Sequence, residues 1–292
     1  MKLSEQEFTD LRGLIQGLCG ICLGDDKRYL IQSRLEPLLH RNKLGSYAEL
    51  VVRTTGTIGI RMQDEVVEAI TTKETSFNRD GHPFDEFRRS MLPLLIQTRM
   101  NRQRVAGLPF GKLRIWSAAT STGQEAYSLA IAILELIRTQ PKTAADRFLV
   151  GPENFNILGT DISSESLRIA VEGQYYAREL ERGIDGDSKR TYFMEQNGSY
   201  AVNPLLKTLV DFQRINLVQP IKNLTCFDMV LCRNLLIYFD EPTRRAVLDQ
   251  LIKQLSPGGI LMLGAAESTA CLPVGMNEMQ FGKTIAYRKI NP

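Results

Sequence analysis

Four positions in the chain could build a ligand site: Glu125, Asp161, Asn216 and the pair Arg233-Asn234. Each follows a short apolar run that reads as a β-strand. In an open α/β sheet, side chains beyond the carboxyl ends of the strands converge on one edge, where ligands bind. Asp161 ends the second predicted strand, 155–160. Such folds hold ribose hydroxyls there, because a carboxylate accepts two hydrogen bonds from a vicinal diol. Helix capping by the same Asp is compatible with that role. The first strand runs directly into a turn of small residues, Ala118, Ala119, Ser121 and Thr122, then Gly123. A strand, a small-residue turn and a helix N-terminus let a ligand approach bare backbone N–H groups. The diphosphate fingerprint G-x-G-x-x-G is absent, and Glu125 would repel a pyrophosphate but attract a cation. A positively charged nucleoside fits, S-adenosylmethionine being the obvious one. Taken alone, the stretch leaves an ordinary strand-to-helix turn as the alternative.

The elements that must position these residues fall into three blocks. Residues 1–80 read as a helical module, opened by a capping box of Ser4 with Glu7 and followed by Leu30, Ile31, Leu35, Leu38 and Leu39 at helical spacing. The polar stretch T-T-K-E-T-S-F-N-R-D from Thr71 to Asp80 breaks the periodicity, and such loops are where function concentrates. Residues 81–111 read as a connecting helix, begun near Pro83, and a linker. From 112 to 292 strands and helices alternate, the signature of a parallel sheet. Predicted strands cover 113–116, 155–160, 209–215, 227–232, 259–264 and a final one, 281–288. An Asn197-Gly198 turn between Tyr192-Phe193-Met194 and Tyr200-Ala201-Val202 reads as a hairpin inserted at about 188–208.

The totals bound the rest. A chain of 292 residues with 43% apolar and 24% charged residues is an ordinary globular protein. Its net charge of +3 does not by itself call for nucleic acid. The charge is uneven, with seven basic and no acidic residues over 87–124, and six basic against two acidic over 27–53. That bias suits an acidic partner or a solvated helix face. No run approaches a membrane span, and five scattered cysteines suit a reducing compartment. Cys19-Gly-Ile-Cys22 has metal spacing but no second pair nearby, and with only His40 and His82 no metal centre is expected.

With these motifs in place, the chain resembles the CheR family of chemotaxis receptor methyltransferases. The likeness spans the helical module, T-T-K-E-T-S-F-N-R-D, W-S-A-A-T-S-T-G-Q-E-A-Y-S, G-T-D-I-S and C-R-N-L-L-I-Y-F-D. It implies a class I, Rossmann-like methyltransferase domain behind an all-helical domain, with a small inserted antiparallel sheet. It also implies methyl transfer from S-adenosylmethionine to glutamate side chains on the cytoplasmic helices of chemoreceptors. The cofactor site would use Lys73, Thr75, Arg79, Glu125, Asp161, Asn216, Leu217, Arg233 and Asn234. Arg79 and Tyr238 would lie nearest the transferred methyl. Arg34, Arg41 and Lys43 would meet the acidic receptor helices, with cofactor affinity insensitive to charge reversal at Arg34 and Arg41. A cytoplasmic monomer recruited to receptor arrays, with no nucleic acid and no membrane insertion, completes the implication.

The chemistry agrees with what the sequence lacks. A glutamate carboxylate is ionised near neutral pH, so no His or Lys base is required. Some positions depart from the family pattern: Lys73 where Asn is common, Asn78 for Phe, and Gln124 and Ala126 within a usual G-E-E-P-Y-S run. They are expected at the cofactor pocket rim. The tight Asn197-Gly198 loop argues against a receptor-peptide tether. Three other readings remain compatible: a methyltransferase for another carboxylate substrate, a cofactor-binding docking module with little turnover, and a nucleic-acid methyltransferase. The last finds no aromatic-proline motif.

Overall fold

A computed structural model describes residues 2–55, 59–140, 150–222, 224, 226–267 and 275–290. The helical module comprises α1 (Glu5–Cys19), α2 (Arg28–Arg41), α3 (Tyr47–Arg53) and α4 (Ile60–Ile70). The Ser4–Glu7 capping box opens α1, satisfying N–H groups that the first turn leaves without helical partners. Phe8, Leu11, Ile15, Ile31, Leu35, Leu39 and Leu50 give the module its own core.

After α5 (His82–Glu86), a π-helical turn (Phe87–Met91) leads into α6 (Leu92–Val105). The second half holds β1 (Leu113–Ala118), α7 (Gln124–Thr139), β2 (Phe155–Asp161) and α8 (Ser164–Glu172). An insertion follows: β3 (Gln174–Tyr176), the short helices α9 (Ala177–Leu180) and α10 (Gly186–Tyr192), then β4 (Phe193–Gln196) and β5 (Ser199–Val202). The chain then passes through α11 (Pro204–Lys207), β6 (Val210–Arg214), β7 (Phe227–Cys232), α12 (Glu241–Lys253), β8 (Leu255–Leu263), β9 (Met276–Phe281) and β10 (Thr284–Lys289). The main sheet has strand order β6-β2-β1-β7-β8-β10-β9. It is parallel from β6 to β8, whereas β10 runs antiparallel to both neighbours.

Period-two alternation divides the sheet between two cores. Ile115, Ile157, Met229 and Ile260 face one side with α6 and α7. Trp116, Leu158, Val230 and Leu261 face the other with Val247 and Leu251 of α12. Strand β7 is buried at every residue, as a central parallel strand must be.

Two expectations about strands change. The single terminal strand is a hairpin, β9 and β10, because β9 lies at an exposed sheet edge and its M-N-E-M-Q-F sequence carries no apolar alternation. The inserted hairpin gains a third strand, β3, so the small sheet starts at Gln174 rather than near 188. Asn197 and Gly198 both have positive φ, 50° and 77°, as a two-residue hairpin turn demands.

The helical module is tied to the sheet edge where α1 ends. Gly20 adopts φ 77°, and a Cβ there would lie 2.5 Å from Val218 Cγ1. Only glycine permits that close approach. Beyond it, Ile21 bridges Phe239, the Cys22 N–H donates to the Tyr238 carbonyl at 2.8 Å, and Asn216 Nδ2 donates to the Leu18 carbonyl at 2.8 Å. On α4, Glu68 accepts from Ser163 Oγ at 2.6 Å and from the Glu165 N–H at 3.1 Å.

Candidate cofactor and methyl-transfer site

A cleft of about 1110 Å³, its open mouth included, lies between the helical module and the carboxyl edge of the sheet. Of the residues expected to hold the cofactor or the reacting groups, Thr75, Arg79, Glu125, Asp161, Asn216, Leu217, Arg233, Asn234 and Tyr238 all line it. Lys73 does not: its ammonium is drawn to Glu68 and Glu165, and only its carbonyl reaches the turn, accepting from Ser121 Oγ at 3.1 Å.

Each wall has a local cause. Beyond β1 the chain turns through Ala119 and Ser121, both at positive φ (67° and 53°), and their small side chains let that turn line the cleft without filling it. The turn presents the Ser121 N–H to Asp161 Oδ2 at 2.8 Å, while Asp161 Oδ1 accepts from the Ser163 N–H at 2.9 Å. Each carboxylate oxygen has a further lone pair to offer. Burial pushes the Asp161 carboxyl above its ordinary value, and the two N–H bonds partly offset this.

Glu125 sits in the first turn of α7, where the helix N-terminus favours negative charge. Its oxygens are held by Ser117 Oγ at 2.8 Å and by Arg233 Nη1 at 3.1 Å. Arg233 is buried, with its side chain 2% exposed, and donates also to Asp80 at 2.8 Å and to the Arg79 carbonyl at 3.1 Å. One guanidinium thus spans from the α7 turn to the Arg79 loop. Arg79 itself donates only to the Glu74 carbonyl, at 3.2 Å, among the described residues. A guanidinium carries five N–H donors, so most of its capacity remains for a ligand at the cleft.

The inserted sheet braces the Arg79 loop from outside. Phe77 is fully buried and packs edge-on against Tyr175 and Phe193, at centroid distances of 5.0 and 5.4 Å. Asn78, at φ 45°, donates from Nδ2 to the Gly183 carbonyl at 2.7 Å. A Cβ on Gly183 would sit 1.8 Å from the Phe77 carbonyl oxygen, so the contact requires glycine.

This geometry corrects the expectation that the family departures alter the pocket rim. None of Lys73, Asn78, Gln124 and Ala126 lines the cleft. Gln124 and Ala126 are buried, with Gln124 bonded to Thr122 and Glu179. Arg34 is a second correction. Its guanidinium caps the end of α4, donating to the Ile70 carbonyl at 2.6 Å and the Thr71 carbonyl at 2.9 Å. Ile70 and Thr71 line the cleft, so reversing this charge would disturb the cleft wall. Arg41 and Lys43 are exposed. Part of the second basic run also faces inward: Arg99 and Arg102 bind the buried carboxylate of Asp228.

Sequence reasoning missed the wall that the helical module supplies: Cys19, Ile21, Leu23 and Leu30 complete an apolar slot with Ile215 and Leu217. Cys19 is buried and donates to the Ile15 carbonyl, and burial pushes its thiol up to about 11. The one local signal was Gly20, a helix-ending glycine before a short apolar run.

A seven-stranded sheet with one reversed strand, and a nucleoside-sized cleft at its carboxyl edge, together define a class I methyltransferase domain. Residues 73–281 match the model described as CheR methyltransferase, SAM binding domain, and residues 6–71 match that described as CheR methyltransferase, all-alpha domain. The chain belongs to the CheR methyltransferase family. It is 36% identical over 289 residues to chemotaxis protein methyltransferase 1 of Pseudomonas aeruginosa, covering 99% of both chains. It is 34% identical over 287 residues to the chemotaxis protein methyltransferase of Vibrio parahaemolyticus, covering 98% of both. Against the Salmonella typhimurium chemotaxis protein methyltransferase, identity is 30% over 273 residues, covering 92% of this chain and 85% of the other. No helix among the described residues is long and apolar enough to cross a membrane.

Proposed function

We propose that the protein transfers the methyl group of S-adenosylmethionine to glutamate carboxylates on the cytoplasmic helices of chemoreceptors. The donor set fits that cofactor: the carboxylates of Glu125 and Asp161, the amides of Asn216 and Asn234 and an apolar slot, with no glycine-rich phosphate loop. Bound there, the cofactor supplies a methyl group made electrophilic by its sulfonium. Asp161 would accept from the ribose hydroxyls, the slot of Ile215, Leu217, Ile21 and Leu30 would take the adenine, and Glu125 with Arg233 would face the methionine end.

The observation that carries the reading is the pairing of Arg79 and Tyr238 on the same cleft as these residues. Arg79 anchors the incoming carboxylate by charge-assisted hydrogen bonds, and the Tyr238 phenol orients it. With the cofactor bound, transfer would join one carboxylate oxygen to the methyl carbon while the carbon–sulfur bond broke, its electron pair staying on sulfur. A cation and an anion become a neutral thioether and a neutral ester, so no proton moves. Alignment and exclusion of water therefore carry the rate. The test is labelled methyl transfer to receptor cytoplasmic fragments. Base-labile label released as methanol marks a carboxyl ester; no label, or label stable to base, would overturn the reading.

Two predictions follow from it. Cofactor binding needs an ionised Asp161, so affinity for S-adenosylhomocysteine should fall as pH drops through the raised carboxyl pKa. The fall begins at a higher pH than for an ordinary aspartate near 3.9, and approaches about tenfold per pH unit. Asp161→Asn should bind weakly and flatten that profile in calorimetric titrations; an unchanged slope would remove Asp161 from the ribose site. Charge reversal at Arg41 and Lys43 should raise the receptor KM several-fold and leave S-adenosylhomocysteine affinity unchanged, since both side chains are exposed and neither lines the cleft. An unaltered KM would place the receptor elsewhere.

A further inference from the structure

Glu267 lies outside the cleft lining, yet it is buried at 6% exposure beyond the carboxyl end of β8. Its carboxylate accepts four backbone N–H groups. Oε2 takes those of Asn234 and Gly264, each at 2.8 Å, and Oε1 takes those of Leu235 at 2.8 Å and Leu236 at 2.6 Å. Asn234, Leu235 and Leu236 are consecutive, and they open the 3-10 turn Leu236–Tyr238. Helical turns leave their first N–H groups without partners, and an anion there completes them.

The same short segment carries much of the proposed chemistry. Arg233, Asn234, Leu235, Tyr238 and Phe239 all line the cleft. Asn234 holds φ 58°, a left-handed conformation that asparagine adopts more readily than other non-glycine residues. Its N–H is donated to Glu267, which stands outside the cleft lining, while Arg233 and Tyr238 on either side of it line the cleft. A neutral amide cannot reproduce this. Glutamine has one acceptor oxygen, and its NH2 would confront two N–H donors.

We propose that Glu267 is a positioning residue for methyl transfer, setting the backbone turn from which Tyr238 reaches the incoming carboxylate. This rests on the proposed transfer reaction, so the parent chain serves as its control. If the parent fails to label receptor fragments, the reaction is wrong, whatever Glu267 does.

The test is Glu267→Gln, with kcat expressed per S-adenosylhomocysteine site titrated by calorimetry. A role in folding alone would lower the number of sites and leave turnover per site intact. Positioning predicts about one site per chain and turnover per site reduced about tenfold or more, towards the roughly hundredfold that a misplacement near 1 Å can cost. The second readout is a cycle with Tyr238→Phe. If Glu267 acts through the Tyr238 turn, the losses overlap, and Glu267→Gln costs less than about threefold in the Tyr238→Phe background. Unchanged turnover per site, or losses that multiply in the double variant, would overturn the proposal. Should Glu267→Gln not fold, Glu267→Asp carries the same readouts, because its shorter side chain withdraws the carboxylate from the turn. Failure of both to fold would assign Glu267 to folding alone and also overturn it.

Discussion

Arg79→Ala is expected to fold normally and to lose methyl transfer by about 10²-fold or more, the scale seen when one charge-stabilising donor is removed from a reaction centre. Little structure depends on this side chain. It sits in the polar loop before α5 and, among the described residues, makes one hydrogen bond, to the Glu74 carbonyl. The loop is held by other means: Phe77 in the core, Asn78 bonded to Gly183, and the Arg79 carbonyl bonded to Arg233. Truncation therefore removes a donor from the cleft without leaving a buried partner unpaired. Circular dichroism should be unchanged and S-adenosylhomocysteine should still bind, while the kcat for receptor fragments collapses. Arg79→Lys should recover only part of the rate, because an ammonium cannot bind a carboxylate in two parallel hydrogen bonds. Near-normal turnover in Arg79→Ala would remove the carboxylate anchor from the mechanism.

Arg233→Ala has the opposite signature, a loss of stability as well as of cofactor affinity. Its guanidinium is buried between Glu125, Asp80 and the Arg79 carbonyl. Removing one partner of a buried pair leaves an uncompensated charge, at a cost of about 3–5 kcal/mol. Here the stranded group is Glu125, left with Ser117 alone. Urea unfolding should show the midpoint displaced to lower concentration at an unchanged slope. The combined Glu125→Gln, Arg233→Met variant separates the two roles. Deleting both charges should restore part of the stability, whereas cofactor affinity stays low because the methionine end has lost both groups. If Arg233→Ala unfolds at the parent's midpoint, the buried strut contributes nothing measurable.

These contrasting outcomes show where side-chain roles were legible. Arg79 and Arg233 are both basic residues next to polar neighbours, and nothing local distinguishes an available anchor from a buried strut. The distinction comes from Asp80. Neighbouring Arg79 and Asp80 have charges that could pair, but Asp80 accepts from Arg233 instead. Arg34 and Arg41 diverge in the same way: one caps α4 against the cleft wall, the other stays exposed. A long charged side chain takes the partner that tertiary packing brings within reach, and that partner can lie anywhere in the chain.

What the sequence determined by itself was the set of strand ends and the chemistry attached to them. Apolar runs marked β1, β2 and β7, the Asn-Gly pair marked the hairpin, and Ser4 with Glu7 marked the first helix. Because parallel strands all point one way, Glu125, Asp161, Asn216, Arg233 and Asn234 had to share one edge of the sheet. Only the tertiary structure decided what closes that edge. The wall of Cys19, Ile21, Leu23 and Leu30, the Gly20 seam against Val218, and the Glu267 carboxylate beneath the Tyr238 turn are contacts between segments up to some two hundred residues apart. The first two follow from the docking of the helical module on the sheet, and the third from the pairing of β7 with β8, and hydrophobic periodicity within each segment carries no signal for either.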